Sequence, residues 1–388
     1  MQYVRSIDDL DRLRSLSGTK WARHGPDVIP AWVADMDLEP APAIKQAISD
    51  MVDRGDLGYQ TALRDSLVPA WLHWLDQRHG LRLPESEVWP FAGVLHGLET
   101  SMVLHTRPGD GVVVFTPVYF PFTAAIRDSG RRLVDVPLGD RWHLDVDRFA
   151  AAIDDTTRAV LISQPHNPIG RVFSAEEIRA FADVVVERDL LVISDEIWAD
   201  LPHAQQRHLP LVQADERLLD HTVTLGSATK AFNMSGLRCA LGHVGHPGVR
   251  EQLQALPFHL PAGPSTLSIA ATIAAWTDGG VEWLDATART LTARRDHLAQ
   301  RLADEVPEVG FDPPEATYLA WLDLRRTALG DDPATALVEQ AGVALSPGRD
   351  FGEQGVGCAR LNFATTESIL DEIIDRIVHA IRASEDRG

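Results

Sequence analysis

Lys230 stands in Gly226-Ser227-Ala228-Thr229-Lys230-Ala231-Phe232-Asn233-Met234-Ser235-Gly236-Leu237-Arg238, between small hydroxyl residues and a Gly-x-Arg. We read it as a Schiff-base lysine. An amine condenses with an aldehyde only while part of its population is neutral, so it needs a sheltered site that lowers its pKa. Small neighbours let backbone and cofactor approach closely. Ser227 offers a hydroxyl and Arg238 a permanent charge, groups suited to a phosphate carried by that cofactor. Taken alone, the loop also reads as a turn with a solvated lysine. Two further stretches favour the chemical reading. In Leu190-Leu191-Val192-Ile193-Ser194-Asp195-Glu196-Ile197-Trp198 an apolar run ends in acids. That puts Asp195 at the carboxyl end of a buried parallel strand, the edge at which open α/β sheets bind ligands. A carboxylate there can keep a ring nitrogen protonated, although it also reads as a helix N-cap. Ser163-Gln164-Pro165-His166-Asn167-Pro168-Ile169-Gly170 likewise follows a strand-like run and precedes a helix that Ser174 can cap with Glu177. Its Asn167 can donate to a ring oxygen, and one of its prolines is a candidate for a cis bond. Asparagine loop, aspartate and lysine loop fall in that order along one alternating α/β stretch.

With these residues the chain resembles the fold-type I pyridoxal-phosphate enzymes of aminotransferase class I/II, and within them the MalY/PatB subgroup of cystathionine β-lyase-like C–S lyases. The words that carry the subgroup resemblance are Trp32-Val33-Ala34-Asp35-Met36-Asp37, Gly58-Tyr59, Pro165-His166-Asn167-Pro168, Ser194-Asp195-Glu196-Ile197, Lys230-Ala231-Phe232-Asn233-Met234-Ser235-Gly236-Leu237 and Arg360-Leu361-Asn362-Phe363-Ala364. The resemblance implies an α/β fold of the aspartate aminotransferase-like type, with a large mainly parallel-sheet domain, a smaller α+β domain, and pyridoxal 5'-phosphate on Lys230. It implies that Asp195 meets the pyridinium nitrogen, Tyr119 stacks on the ring, and the helix start at Gly93, Val94 and Leu95 cups the phosphate with Ser227 and Arg238. Tyr59 would reach the phosphate of a neighbouring subunit, giving a homodimer with shared active sites. Arg360 would clamp the α-carboxylate of an amino-acid substrate. Asp35, with Asp37, would lie at the active-site mouth.

The reaction implied is α,β-elimination on cystathionine or a related cysteine S-conjugate, giving a thiol, pyruvate and ammonia. Transamination, or another transformation such as decarboxylation in a specialised pathway, stays open, as does a cofactor-binding regulator with little turnover. Several departures from the subgroup bear on that choice. Trp198 stands where histidine is usual in the subgroup, and its indole cannot accept or relay a proton. We assign it to the substrate wall. Gln60, Gln164 and Leu38 also depart from the common pattern.

The elements that must position these groups recur along the chain. Strand-like runs at 111–115, 132–137, 158–162, 190–194, 222–226 and 241–244 alternate with helical runs, which predicts a mainly parallel sheet covered on both faces. Helices are expected at 7–15, 43–54, from 93 to about 106, over 267–304, and at 368–384, with smaller-domain strands at 318–324 and 359–363. We divide the chain into 1–48 (N-terminal segment of the small domain), 49–284 (large cofactor-binding domain) and 285–388 (C-terminal small domain).

At 388 residues the chain can bury a large core. A net charge of −20 disfavours nucleic acid and anionic membranes as partners. The two cysteines, Cys239 and Cys358, make no disulfide framework or zinc motif. The start carries no expected signal-peptide core, no apolar run reaches transmembrane length, and a cytoplasmic setting is expected. The pairs His243/His246 and His203/His208 match no metal signature, so no metal is expected.

Overall fold

A computed structural model describes residues 10–59, 61–204, 206–257 and 263–385. Residues 7–9 of the first expected helix, and Gln60, lie outside the described residues. Among the described residues there are twelve strands in three sheets. In chain order they are β1 (Ile29–Pro30), β2 (Val88–Phe91), β3 (Gly111–Thr116), β4 (Arg132–Pro137), β5 (Thr157–Ser163), β6 (Leu191–Asp195), β7 (Thr222–Gly226), β8 (Ala240–Val244), β9 (Leu319–Asp323), β10 (Val343–Ala344), β11 (Ser346–Pro347) and β12 (Cys358–Asn362).

The large sheet runs β2-β8-β7-β6-β5-β3-β4. Its four joins from β7 across to β4 are parallel, and β8 pairs antiparallel with both β7 and β2. The central strands β3, β5, β6 and β7 are buried along almost their whole length and mainly apolar because both faces are covered. Alternate residues enter different cores: Val113, Phe115, Val160, Ile162 and Val192 lie in one cluster, and Val112, Val114, Ala159, Leu161, Leu191 and Ile193 in another. The helix Ala175–Arg188 opens with the expected Ser174/Glu177 capping box and closes on Asp189 in the left-handed region.

Among the elements the sequence reading did not assign, two bear on the site. Strand β2 contains Pro90, which an edge strand tolerates because its outer side needs no amide donor. Helix Thr61–His79 carries Pro69 inside it and buries Leu67, Trp71 and Trp74 along one face, but half-buried Val68, Leu72 and Leu75 beside them blur the apolar stripe. The smaller sheet is antiparallel, β11-β12-β9, and β1 pairs in parallel with β10, tying the start of the chain to its last quarter. Helices Asp278–Glu305 and Glu367–Glu385 pack on each other beside it.

Candidate active site

The end of β5, the end of β6 and the loop after β7 meet at one edge of the large sheet. Ser163 is in register with Asp195, the Gln164 amide donates to the Asp195 carbonyl at 2.9 Å, and the Glu196 amide donates to the Leu225 carbonyl at 2.8 Å. The asparagine, aspartate and lysine loops therefore share one rim. Gln164–Pro165 is a cis bond, as is Thr116–Pro117. The Gln164 side chain donates to the Phe173 carbonyl and accepts from the Phe173 amide, so it clips the asparagine loop to itself.

Lys230 is half-buried, and its Nζ donates to the Ala34 carbonyl at 2.9 Å and to Ser235 Oγ at 3.1 Å. Burial holds its pKa below the usual lysine value, and Arg360 adds to this while Asp35 and Asp195 oppose it. A neutral amine has two N–H bonds and one lone pair. With both N–H groups taken, the lone pair is the direction left for chemistry. Asp195 is 6% exposed, and burial pushes its carboxyl up to about 7, with Glu196 adding to the rise and the Ile197 amide and Lys230 opposing it. Beside it, Glu196 accepts from Ser194 Oγ at 3.0 Å and lies 2.8 Å from His208 Nε2, so it is occupied structurally.

Arg360 is 4% exposed and forms no ion pair among the described residues. Its Nη1 donates to Asn167 Oδ1 at 3.0 Å, and its Nη2 donates to the Trp32 carbonyl and Ser346 Oγ at 3.0 and 3.1 Å. Its Nε is buried without a partner, and its guanidinium carbon lies 4.8 Å from the centre of the Phe351 ring. Burial lowers its pKa to about 10. Because arginine only donates, it fixes the Asn167 amide with oxygen toward Arg360 and leaves the Asn167 N–H groups for another acceptor.

Tyr119 is half-buried at the head of the helix Phe120–Asp128, and burial raises its pKa. Arg238 is exposed, sits at φ 41°, and has no hydrogen bond or ion pair among the described residues. Ser227 donates its one hydroxyl proton to the Cys239 carbonyl at 2.6 Å, and its Oγ accepts from the Thr229 amide. It braces the lysine loop, and binding a phosphate requires that proton to be redirected. Gly93, at φ 154° and with no atom near its absent Cβ, precedes Val94 and Leu95 at the start of the helix Val94–His105, whose first amides receive no side-chain cap. Trp198 is 2% exposed, meets Tyr318 edge-on at 4.9 Å, and lies behind Lys230 with its ring centre 6.0 Å from Nζ. Tyr59 is fully exposed within the single chain.

Residues 32–37 form the wall opposite Lys230, and their two aspartates differ. Asp37 is buried, accepting from Lys20 Nζ and from the Trp21 indole, each at 2.7 Å, so it is structural. Asp35 is half-buried, with its side chain unpartnered among the described residues. Sequence reasoning gave no role to Tyr318, whose Oη donates to the Ala34 carbonyl at 2.8 Å. It also gave none to Ser346, Asn233 or Asn362, the last two tying residues 33, 35, 36 and 38 in place. These contacts join positions roughly 200 to 330 apart, and no local pattern announces them. His203 and His243 lie 3.1 Å from Thr292 Oγ1 and Glu87 respectively, and no group of three His, Cys, Asp or Glu among the described residues could hold a metal.

The family model for aminotransferase class I and II matches residues 31–377. Cystathionine β-lyase of Corynebacterium glutamicum is 31% identical over 96% of this chain and 99% of its own length. Protein MalY of Escherichia coli is 32% identical over 92% of both chains. The solved structure of the pyridoxal-phosphate-bound C–S lyase from Staphylococcus hominis superposes with a TM-score of 0.91 at 27% identity, covering 98% of this chain and 99% of that one. The chain belongs to the class I and II aminotransferase family and has its fold-type I architecture.

Proposed function

We propose that this protein is a pyridoxal-phosphate-dependent C–S β-lyase, cleaving cystathionine or a related cysteine S-conjugate to a thiol, pyruvate and ammonia. The observation that carries the reading is Arg360: a buried guanidinium with three hydrogen bonds to neutral acceptors, an orphaned Nε and no acid. Such a group is suited to the α-carboxylate of an amino acid. The residues present also fit the cofactor. Lys230 would hold its aldehyde carbon, Asp195 its ring nitrogen, Asn167 its phenolic oxygen and Tyr119 its ring face. Arg238, with the amides at Gly93, Val94 and Leu95 and with Ser227, would hold its phosphate. A cationic ring nitrogen keeps Asp195 ionised in spite of its burial. When bound, the cofactor supplies an electron sink for the pair left at Cα.

The chain's own residues do the rest. Arg360 fixes the carboxylate and thereby the direction of the Cα–H bond. Lys230, held by Ala34 and Ser235, takes the Cα proton at Nζ. The Cβ–S bond then breaks, the sulfur leaving with its electron pair and taking up a proton, and water releases the remaining three carbons as pyruvate and ammonia. The relatives named cystathionine β-lyase and C–S lyase support this outcome over transamination.

Tyr59 completes the reading as a homodimer. Fully exposed in one chain, beside exposed Leu57 and Val52, it would reach the phosphate of a second subunit. The pairing of β1 with β10 supports assigning 1–48 and 285–388 to the smaller domain and 49–284 to the cofactor domain. Two buried free cysteines fit the cytoplasm, and no helix among the described residues is long and apolar enough to cross a membrane. The test is incubation of the holoenzyme with L-cystathionine without an oxo acid. Catalytic pyruvate release is expected. Stoichiometric conversion of the cofactor to its amine form, reversed by an oxo acid, would instead make the protein an aminotransferase.

A further inference from the structure

The charges around the pocket do not close on the cofactor and the α-carboxylate alone. Five charged side chains enter the site: Lys230, Arg238, Arg360, Asp195 and Asp35. On the reading above, Lys230 is a neutral amine until it takes the Cα proton, Arg238 would meet phosphate, Arg360 the α-carboxylate and Asp195 the ring nitrogen. Asp35 is left with no permanent counter-charge.

Its position is not an accident of a loose loop. The Asp35 carbonyl accepts from Lys20 Nζ at 3.2 Å and from Asn362 Nδ2 at 2.7 Å, and its amide donates to the Val33 carbonyl at 2.9 Å. On one side the Ala34 carbonyl accepts from both Lys230 Nζ and Tyr318 Oη, and on the other Met36 is held through both amide and carbonyl by Asn233. These neighbouring groups are tied, while the Asp35 carboxylate makes no hydrogen bond or ion pair among the described residues. It is half-buried, and its charge acts on Lys230, Tyr119 and Tyr318, which line the same space. A half-buried carboxylate without a partner is a place where a cation brought by the ligand can pair. Lys20, whose Nζ reaches the Asp35 carbonyl, is already committed to Asp37.

We propose that Asp35 is a specificity residue that selects amino acids carrying a second, distal ammonium group on the side chain. Cystathionine belongs to that class, as do cysteine conjugates bearing an S-aminoalkyl group. The inference rests on the pocket taking an amino acid at Arg360, and it does not need elimination to occur.

The test compares three isosteric ligands that cannot lose a Cβ thiolate, L-lysine, L-norleucine and L-2-aminoadipate, by titrating the absorbance change of the bound cofactor in the holoenzyme. A half-buried ion pair predicts that lysine binds about tenfold tighter than norleucine, with aminoadipate the weakest. In Asp35→Asn, which keeps the shape of a side chain that makes no hydrogen bond, the lysine-to-norleucine ratio falls to about twofold or less. Equal affinities in the parent, a preference for aminoadipate, or a lysine preference that survives Asp35→Asn would each overturn the proposal. The three-ligand ranking in the parent decides the matter even if the variant does not fold. Pyruvate release from S-(2-aminoethyl)-L-cysteine is measured alongside. The expected ranking without pyruvate would leave this inference standing and sink the β-lyase reading alone.

Discussion

Arg360→Met separates a ligand-binding arginine from a structural one, because the two roles predict different balances of stability and activity. Burial lowers the Arg360 pKa to about 10, a cost on the order of 3 kcal/mol against its charged form. Methionine keeps an unbranched apolar stem, ends short of the guanidinium's outer nitrogens, and removes that strain. The substitution also strips a donor from Asn167 Oδ1, the Trp32 carbonyl and Ser346 Oγ, at about 1 kcal/mol or more each. The two effects nearly cancel, so thermal or urea unfolding of Arg360→Met is expected within about 1 kcal/mol of the parent. Affinity does not cancel. Removing one partner of a buried, bidentate charge pair costs about 3 to 5 kcal/mol, or roughly two to four orders of magnitude in kcat/KM for an amino-acid substrate. The assay pairs urea melts with pyruvate release and with titration of an unreactive amino acid. A variant that loses several kcal/mol of stability, or keeps its affinity for amino acids bearing a carboxylate, would refute the reasoning.

Asp37→Asn is expected to show the converse pattern, losing about 3 kcal/mol of stability because it strands Lys20 in the interior, and urea melts would reveal it. His203 is buried with its pKa lowered to about 4, so between pH 6.5 and 4 the unfolded chain binds the proton more readily. Stability is fully present above pH 6.5 and falls as pH drops toward 4; replacing the residue, as His203→Gln, should remove about 2 kcal/mol of the loss measured between pH 7 and pH 5. If Tyr59 serves the partner's site, two inactive variants, Lys230→Ala and Tyr59→Ala, should recover about a quarter of parental activity once mixed and reassociated, since half the dimers are hybrids with one intact site each. No recovery on demonstrated subunit exchange would place Tyr59 outside the neighbouring site.

The parts legible in the sequence were those whose signal is local. Central strands such as β5 and β6 read clearly because burial on both faces demands an unbroken apolar run, and Asp195 stood out as the acid that ends one. Lys230 was legible from its small and hydroxyl neighbours. Strand β2 was obscured by Pro90, and helix Thr61–His79 by Pro69 and by apolar residues such as Val68 and Leu72 beside its buried face. Asp35 and Asp37 are indistinguishable as letters two positions apart; only the tertiary placement of Lys20 and Trp21 makes one structural. The Ala34 carbonyl could not be found at all from sequence, because a backbone acceptor shared by Lys230 and Tyr318 leaves no trace in residue type.

The most direct test is chemical trapping. Borohydride reduction of the purified holoenzyme followed by peptide mass mapping should find the reduced cofactor on Lys230 and on no other lysine, with the visible absorbance absent from Lys230→Ala. A cofactor fixed to a different lysine, or an unaltered spectrum in Lys230→Ala, would contradict the account at its centre.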